Sequence, residues 1–167
     1  METEQRMSRK IKKSHGFDNE MHVSFDAISV NEAFARIVVA AFVSPLNPTL
    51  EEISDIKTAV SEAVTNAIIH GYDGVDTEEK KQVHMNCMIL EDVLQVVVRD
   101  EGIGIENIEQ AMQPLFTTKP ELDRSGMGFA FMEAFMDDLE VESVPGSGTT
   151  VTMKKKLGTS SWLKYED

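Results

Sequence analysis

Glu62 and Asn66 stand four residues apart in the run Ser61-Glu62-Ala63-Val64-Thr65-Asn66-Ala67-Ile68-Ile69-His70-Gly71. A helix through this run sets both on one side. A carboxylate there can take a proton from a nucleophile. A carboxamide oxygen one turn later can ligate a hard divalent cation. Both sit against an apolar stripe of Ala63, Val64, Ala67 and Ile68, which is not how a solvated face is built. Gly71 is expected to stop the helix in the left-handed conformation.

Two later stretches add to this chemistry. Asp100-Glu101-Gly102-Ile103-Gly104 follows an apolar run that reads as a central strand. A buried carboxylate at Asp100 needs a partner, and as a pure acceptor it suits an amino group such as that of adenine. Gly102 and Gly104 let the backbone approach a base and turn sharply. Arg124-Ser125-Gly126-Met127-Gly128-Phe129 opens an apolar helix. Free N–H groups at Gly126 and Gly128 make an anion site for phosphates. No Gly-Lys-Ser/Thr follows, so this is not a Walker loop, and the third glycine of the dinucleotide fingerprint is missing. Lys119 and Arg124 lie between the two glycine motifs and can reach phosphates if that loop closes. Each motif alone also has a plainer reading as a rim residue, a turn or a surface charge.

These residues need a frame. Met21, Val23 and Phe25 alternate as a half-buried strand. Ser29 with Glu32 is a capping-box pattern, and the helix behind it is expected to turn Ala33, Phe34, Ile37, Val38 and Ala41 to the core, with Arg36 off that face. Pro45 and Pro48 break the chain. Thr49 with Glu52 repeats the capping signal and opens the helix that ends at His70. Strands are expected over 83–89 and 93–98, around a turn at Glu91-Asp92. Short helices follow over 105–112 and 126–136, and two strands over 139–144 and 149–155. The whole is an α/β two-layer sandwich, a mixed sheet of about five strands with helices on one face. Residues 1–18 read as a disordered arm, 19–157 as one domain and 158–167 as a tail.

The chain has 167 residues, net charge −13 and a hydrophobic fraction of 41%. That suffices for a core and argues against direct nucleic-acid or anionic-membrane binding, which needs a basic face. No apolar run approaches the ~20 residues of a membrane span. The single cysteine, Cys87, forms no internal disulfide, and a reducing, cytoplasmic setting is expected.

The order of the three motifs resembles the N, G1 and G2 boxes of the GHKL (Bergerat-fold) ATP-binding superfamily, and Gly148-Thr149-Thr150 its last box. Histidine kinases usually lack a glutamate at the position of Glu62. Gyrase-type ATPases have one but carry a further domain. The closer likeness is to the small anti-sigma serine kinases of endospore-forming bacteria, the anti-sigma F family. It lies in Asn31 to Arg36, Ser61 to Tyr72, Arg99 to Gly104 and Gln113 to Gly128, and it spans nearly everything from Glu20 to Lys155. The resemblance implies ATP or ADP with Mg²⁺, bound by Asn66, Asp100, Gly102, Gly104, Lys119, Arg124, Gly126, Gly128 and Thr149. It implies Asn66 as the metal ligand and Glu62 as the catalytic base. It further implies a homodimer that inhibits a sporulation sigma factor and phosphorylates a serine of an anti-anti-sigma antagonist, with Arg36 on the partner surface. The alternative is a nucleotide-dependent binding module, or a GHKL ATPase, without protein kinase activity.

Overall fold

The computed structural model describes residues 18–114, 116 and 127–158. The elements run β1 (Asn19–Asp26), α1 (Val30–Val43), α2 (Leu50–Asn66), a π-helical turn (Ala67–Gly71), β2 (Gln82–Leu90), β3 (Val93–Asp100), α3 (Ile108–Ala111), α4 (Gly128–Phe135), β4 (Asp138–Val144) and β5 (Gly148–Lys156). The expected arm and tail lie outside the described residues but for Asp18 and Gly158.

The five strands order β1-β2-β3-β5-β4. Every neighbouring pair is antiparallel, where a mixed sheet was expected. The reason is connectivity. β2–β3 and β4–β5 are hairpins, β1 pairs antiparallel with β2 across the α1–α2 connection, and β5 inserts between β3 and β4, so those two strands do not become neighbours. Glu91 takes the β2–β3 turn at φ 55°.

Alternation along the strands gives the sheet one apolar face. Met85, Val98 and Val151 share one row across it, and Cys87, Val96 and Met153 the next. Helices supply Val39, Val43, Ile56, Val60, Val64 and Met132 to the same core. Each such fully buried side chain contributes roughly 1.5–3 kcal/mol by leaving water. The opposite face carries His84, Asn86, Gln95, Thr150, Thr152 and Lys154, half-buried in the single chain. One solvated face is usual for an antiparallel sheet.

The face that α1 turns inward differs from the expected one. Ala35, Val39 and Val43 are fully buried at four-residue spacing, while Phe34 and Ile37 are 45% and 67% exposed. The helix is apolar nearly all round, so the pattern offers several phases and tertiary packing selects one. Phe34 still packs edge-on against Phe25, with ring centroids 5.9 Å apart.

Candidate functional site

The helix that carries Glu62 and Asn66 is anchored at its start. The Thr49 hydroxyl accepts from Glu52 N at 3.1 Å, and the Glu52 carboxylate accepts from Thr49 N at 2.8 Å. Both halves of the expected capping box are therefore formed. The box expected at Ser29 is not. Ser29 is itself in the helical region and makes no side-chain cap. Its would-be partner Glu32 is engaged elsewhere, accepting a short hydrogen bond from the Ser61 hydroxyl and lying 2.8 Å from Arg36 Nε. That Nε is shielded from solvent and has no aligned hydrogen bond, so the Arg36–Glu32 contact is an ion pair held by proximity. Glu32 thus clasps α1 to the residue just before Glu62.

At the other end, α2 widens into the π turn Ala67–Gly71. Such turns concentrate at functional sites. Gly71 does not adopt the expected left-handed conformation: it is absent from the glycines with positive φ, which are Gly74, Gly104, Gly146, Gly148 and Gly158 among the described residues. Its need for glycine is spatial. A Cβ there would stand 2.7 Å from the Asp100 carboxyl carbon. Gly102 is constrained in the same way, because a Cβ there would overlap the Gly71 carbonyl. Ile103 N donates to that carbonyl at 2.7 Å. Gly104 has both reasons, a φ of 73° and Val144 backbone against its missing Cβ.

Asp100 ends β3, only 5% exposed. Burial raises its carboxyl above the ordinary range, against the lowering effect of hydrogen bonds from the Gly102 and Thr149 backbone N–H groups and of the Arg99 charge. The Gly102 N to Oδ1 distance is 2.9 Å. Tyr72 braces the same corner: its hydroxyl donates to Gln82 O and accepts from Glu101 N. Ser143 on β4 accepts from Ile105 N at 2.7 Å, donates to Gly148 O at 3.0 Å and lies 2.8 Å from the Thr149 hydroxyl. Sequence reasoning missed both Tyr72 and Ser143. Their signal was weak, since a lone hydroxyl outside a glycine motif carries no spacing pattern.

A cavity of about 530 Å³ opens beside these groups, lined by Asn66, Gly71, Asp100, Gly104, Gly128 and Thr149 among others. Glu62 and Gly102 border it without lining it. A Cβ on Gly128 would meet the Asn66 amide at 3.2 Å and Glu62 Oε2 at 3.3 Å, so the start of α4 rests on both side chains. Lys119, Arg124 and Gly126 lie outside the described residues. Arg36 is apart from the cavity, its side chain 42% exposed on α1. Among the described residues, no group of three or more His, Cys, Asp or Glu could hold a metal. The carboxamide of Asn66 beside a carboxylate fits a hard cation that takes most of its oxygens from phosphate and water.

Residues 25–155 match the family model of the histidine kinase-like ATPase domain. The chain is similar to an anti-sigma F factor of Clostridium perfringens, strain SM101, at 58% identity over 142 residues, 85% of this chain and 99% of the relative. It is 55% identical to an anti-sigma F factor of Geobacillus sp., strain WCH70, over 145 residues, 87% of this chain and 97% of the relative. Among solved structures, the RsbU and RsbW domains of a Mycobacterium tuberculosis protein superpose with a TM-score of 0.60 at 21% identity. That match covers 83% of this chain and 32% of the other, and it shows the shared fold.

Proposed function

This chain belongs to the anti-sigma F factors and carries their histidine kinase-like, nucleotide-binding ATPase domain, and we propose that it binds a sporulation sigma factor and phosphorylates a serine of the anti-anti-sigma protein that opposes it. The observation that carries this reading is the meeting of Glu62, Asn66 and the Gly128 helix start at the side of a cavity that Asp100 lines. Asp100 and Thr149 take the adenine of ATP or ADP. The backbone at Gly126 and Gly128, with Lys119 and Arg124, takes the phosphates. Asn66 holds Mg²⁺ through its carboxamide oxygen. The metal, when bound, neutralises charge on the phosphate oxygens. Glu62, one turn before Asn66, accepts the serine proton as the hydroxyl attacks.

Arg36 and its neighbours on α1 form the partner surface. Supporting this are the exposure of Arg36 and of the apolar Ile37 next to it in the chain, 67% exposed, with Ile28 and Val30 exposed at the helix start, 53% and 70%. Apolar surface of this kind is usually covered by a protein, and a homodimer accounts for part of it. No described helix is long and apolar enough to cross a membrane. The proposed setting is the cytoplasm, where the sigma factor and ATP are.

Transfer of labelled phosphate from ATP to the antagonist, mapped to a serine, tests the proposal. Phosphate on histidine, or ATP hydrolysis without transfer, would overturn it.

A further inference from the structure

Among the described residues, the Ser143 hydroxyl has three polar partners, and it carries one proton. Ile105 N is a donor only, so Ser143 Oγ accepts from it. Gly148 O is an acceptor only, so the Ser143 proton goes there. The third neighbour, Thr149 Oγ1 at 2.8 Å, must then donate into the remaining lone pair of Ser143. The hydroxyl of Ser143 is thereby saturated, one bond given and two received. Thr149 lines the cavity, and its only side-chain proton is directed away from the ligand. It therefore offers the ligand lone pairs. Asp100, its neighbour, accepts from the Gly102 and Thr149 backbone N–H groups, which favour the carboxylate, and as a carboxylate it too is an acceptor only.

We propose that Ser143 is the specificity-determining residue for the base, acting through Thr149: by holding the Thr149 proton it makes the base end of the cavity a pair of acceptors. An exocyclic amino group, with two N–H hydrogens, complements such a pair. A carbonyl at the same ring position meets lone pair against lone pair. The site thus selects a 6-aminopurine over a 6-oxopurine. Ser143 touches no ligand atom in this scheme and is a positioning residue. The inference deepens the reading of the cavity as an ATP site and rests on it.

The test is titration of the full chain with ATP and with inosine triphosphate, which differ only in a 6-amino against a 6-oxo group and its ring proton. The wild type should prefer ATP. Ser143→Ala frees the Thr149 proton to face a carbonyl, so the ATP/ITP affinity ratio should fall roughly three- to tenfold, the range of one hydrogen bond. Ser143→Thr keeps the hydroxyl and should keep the ratio. In a Thr149→Val background, Ser143→Ala should move the ratio no further. An unchanged ratio in Ser143→Ala, or equal weakening of both nucleotides, would overturn the proposal and leave Ser143 as a prop for the Ile105 backbone. If Ser143→Ala does not fold, Thr149→Val carries the test: ATP should lose more than ITP, and the reverse would mean that Thr149 donates. Binding of neither nucleotide by the wild type would instead overturn the ATP reading itself, and the proposal with it.

Discussion

Gly71 and Gly102 touch backbone to backbone, and a Cβ on Gly102 has no room beside the Gly71 carbonyl. The contact lets the π turn close on the end of β3, which is what brings Asp100 beside the helix carrying Asn66. The obstacle to Gly102→Ala is main chain, which cannot swing aside. The obstacle to Gly71→Ala is the Asp100 side chain. Gly102→Ala should therefore destabilise more than Gly71→Ala, the latter by about 1–3 kcal/mol as an overpacked site. Denaturant melts of both variants check the order.

Asp100 gives the free protein a distinctive pH dependence. Its carboxyl is raised from an ordinary 3.8 by burial, so the folded state holds the proton more tightly than the unfolded state. Its contribution to stability is full below pH 3.8 and is lost as pH rises through the folded value. The stability of wild type relative to Asp100→Asn should accordingly fall as pH rises above 3.8. Unfolding curves for the pair across that range measure it. A flat difference would mean that the hydrogen bonds from Gly102 and Thr149 cancel the burial.

Asn66→Ala should abolish the Mg²⁺-dependent part of nucleotide affinity and leave the fold intact. The side chain is half-buried at the cavity wall and leaves no large void when truncated. Titration of ATP with and without Mg²⁺ separates the metal contribution. Equal loss under both conditions would assign Asn66 to the phosphates or to packing.

Glu62→Gln should keep nucleotide and sigma binding while slowing phosphate transfer by ~10²–10⁴-fold, the usual cost of losing a general base. The change is nearly isosteric, so the start of α4 at Gly128 keeps its contact. Single-turnover transfer to the antagonist, with sigma binding measured on the same sample, is the assay. Wild-type transfer would exclude Glu62 as the base.

Arg36→Ala should weaken binding of sigma factor or antagonist without altering ATP affinity, since Arg36 lies apart from the cavity. Pull-down of both partners beside an ATP titration checks it. Normal binding of both would remove Arg36 from the partner surface.

Much of the site was legible because its signals are local. Thr49 and Glu52 form their box three residues apart, and Glu62 and Asn66 share a helix side as their spacing requires. What escaped depends on distant chain. Glu32 has the right spacing for a cap at Ser29, but Ser61, twenty-nine residues away, takes its carboxylate. Gly71 looked like a helix stop, and only Asp100 across the fold reveals the real constraint. The inward face of α1 was misread because Phe34 and Ile37 are as apolar as Ala35 and Val39. The sheet was expected to be mixed because sequence does not announce that β5 enters between β3 and β4.

The π turn at Ala67–Gly71 makes the number of residues there as informative as their kinds. A π turn holds one residue more than the α turn it replaces. Wound as ordinary α-helix, the same residues would carry the chain further around the helix axis, because an α-helix turns about 100° per residue and a π turn less. Gly71 would then face away from Asp100, and the chain would leave the helix on the wrong bearing for Tyr72 to reach Gln82 and Glu101. What this stretch must keep is its winding, together with the glycine that ends it.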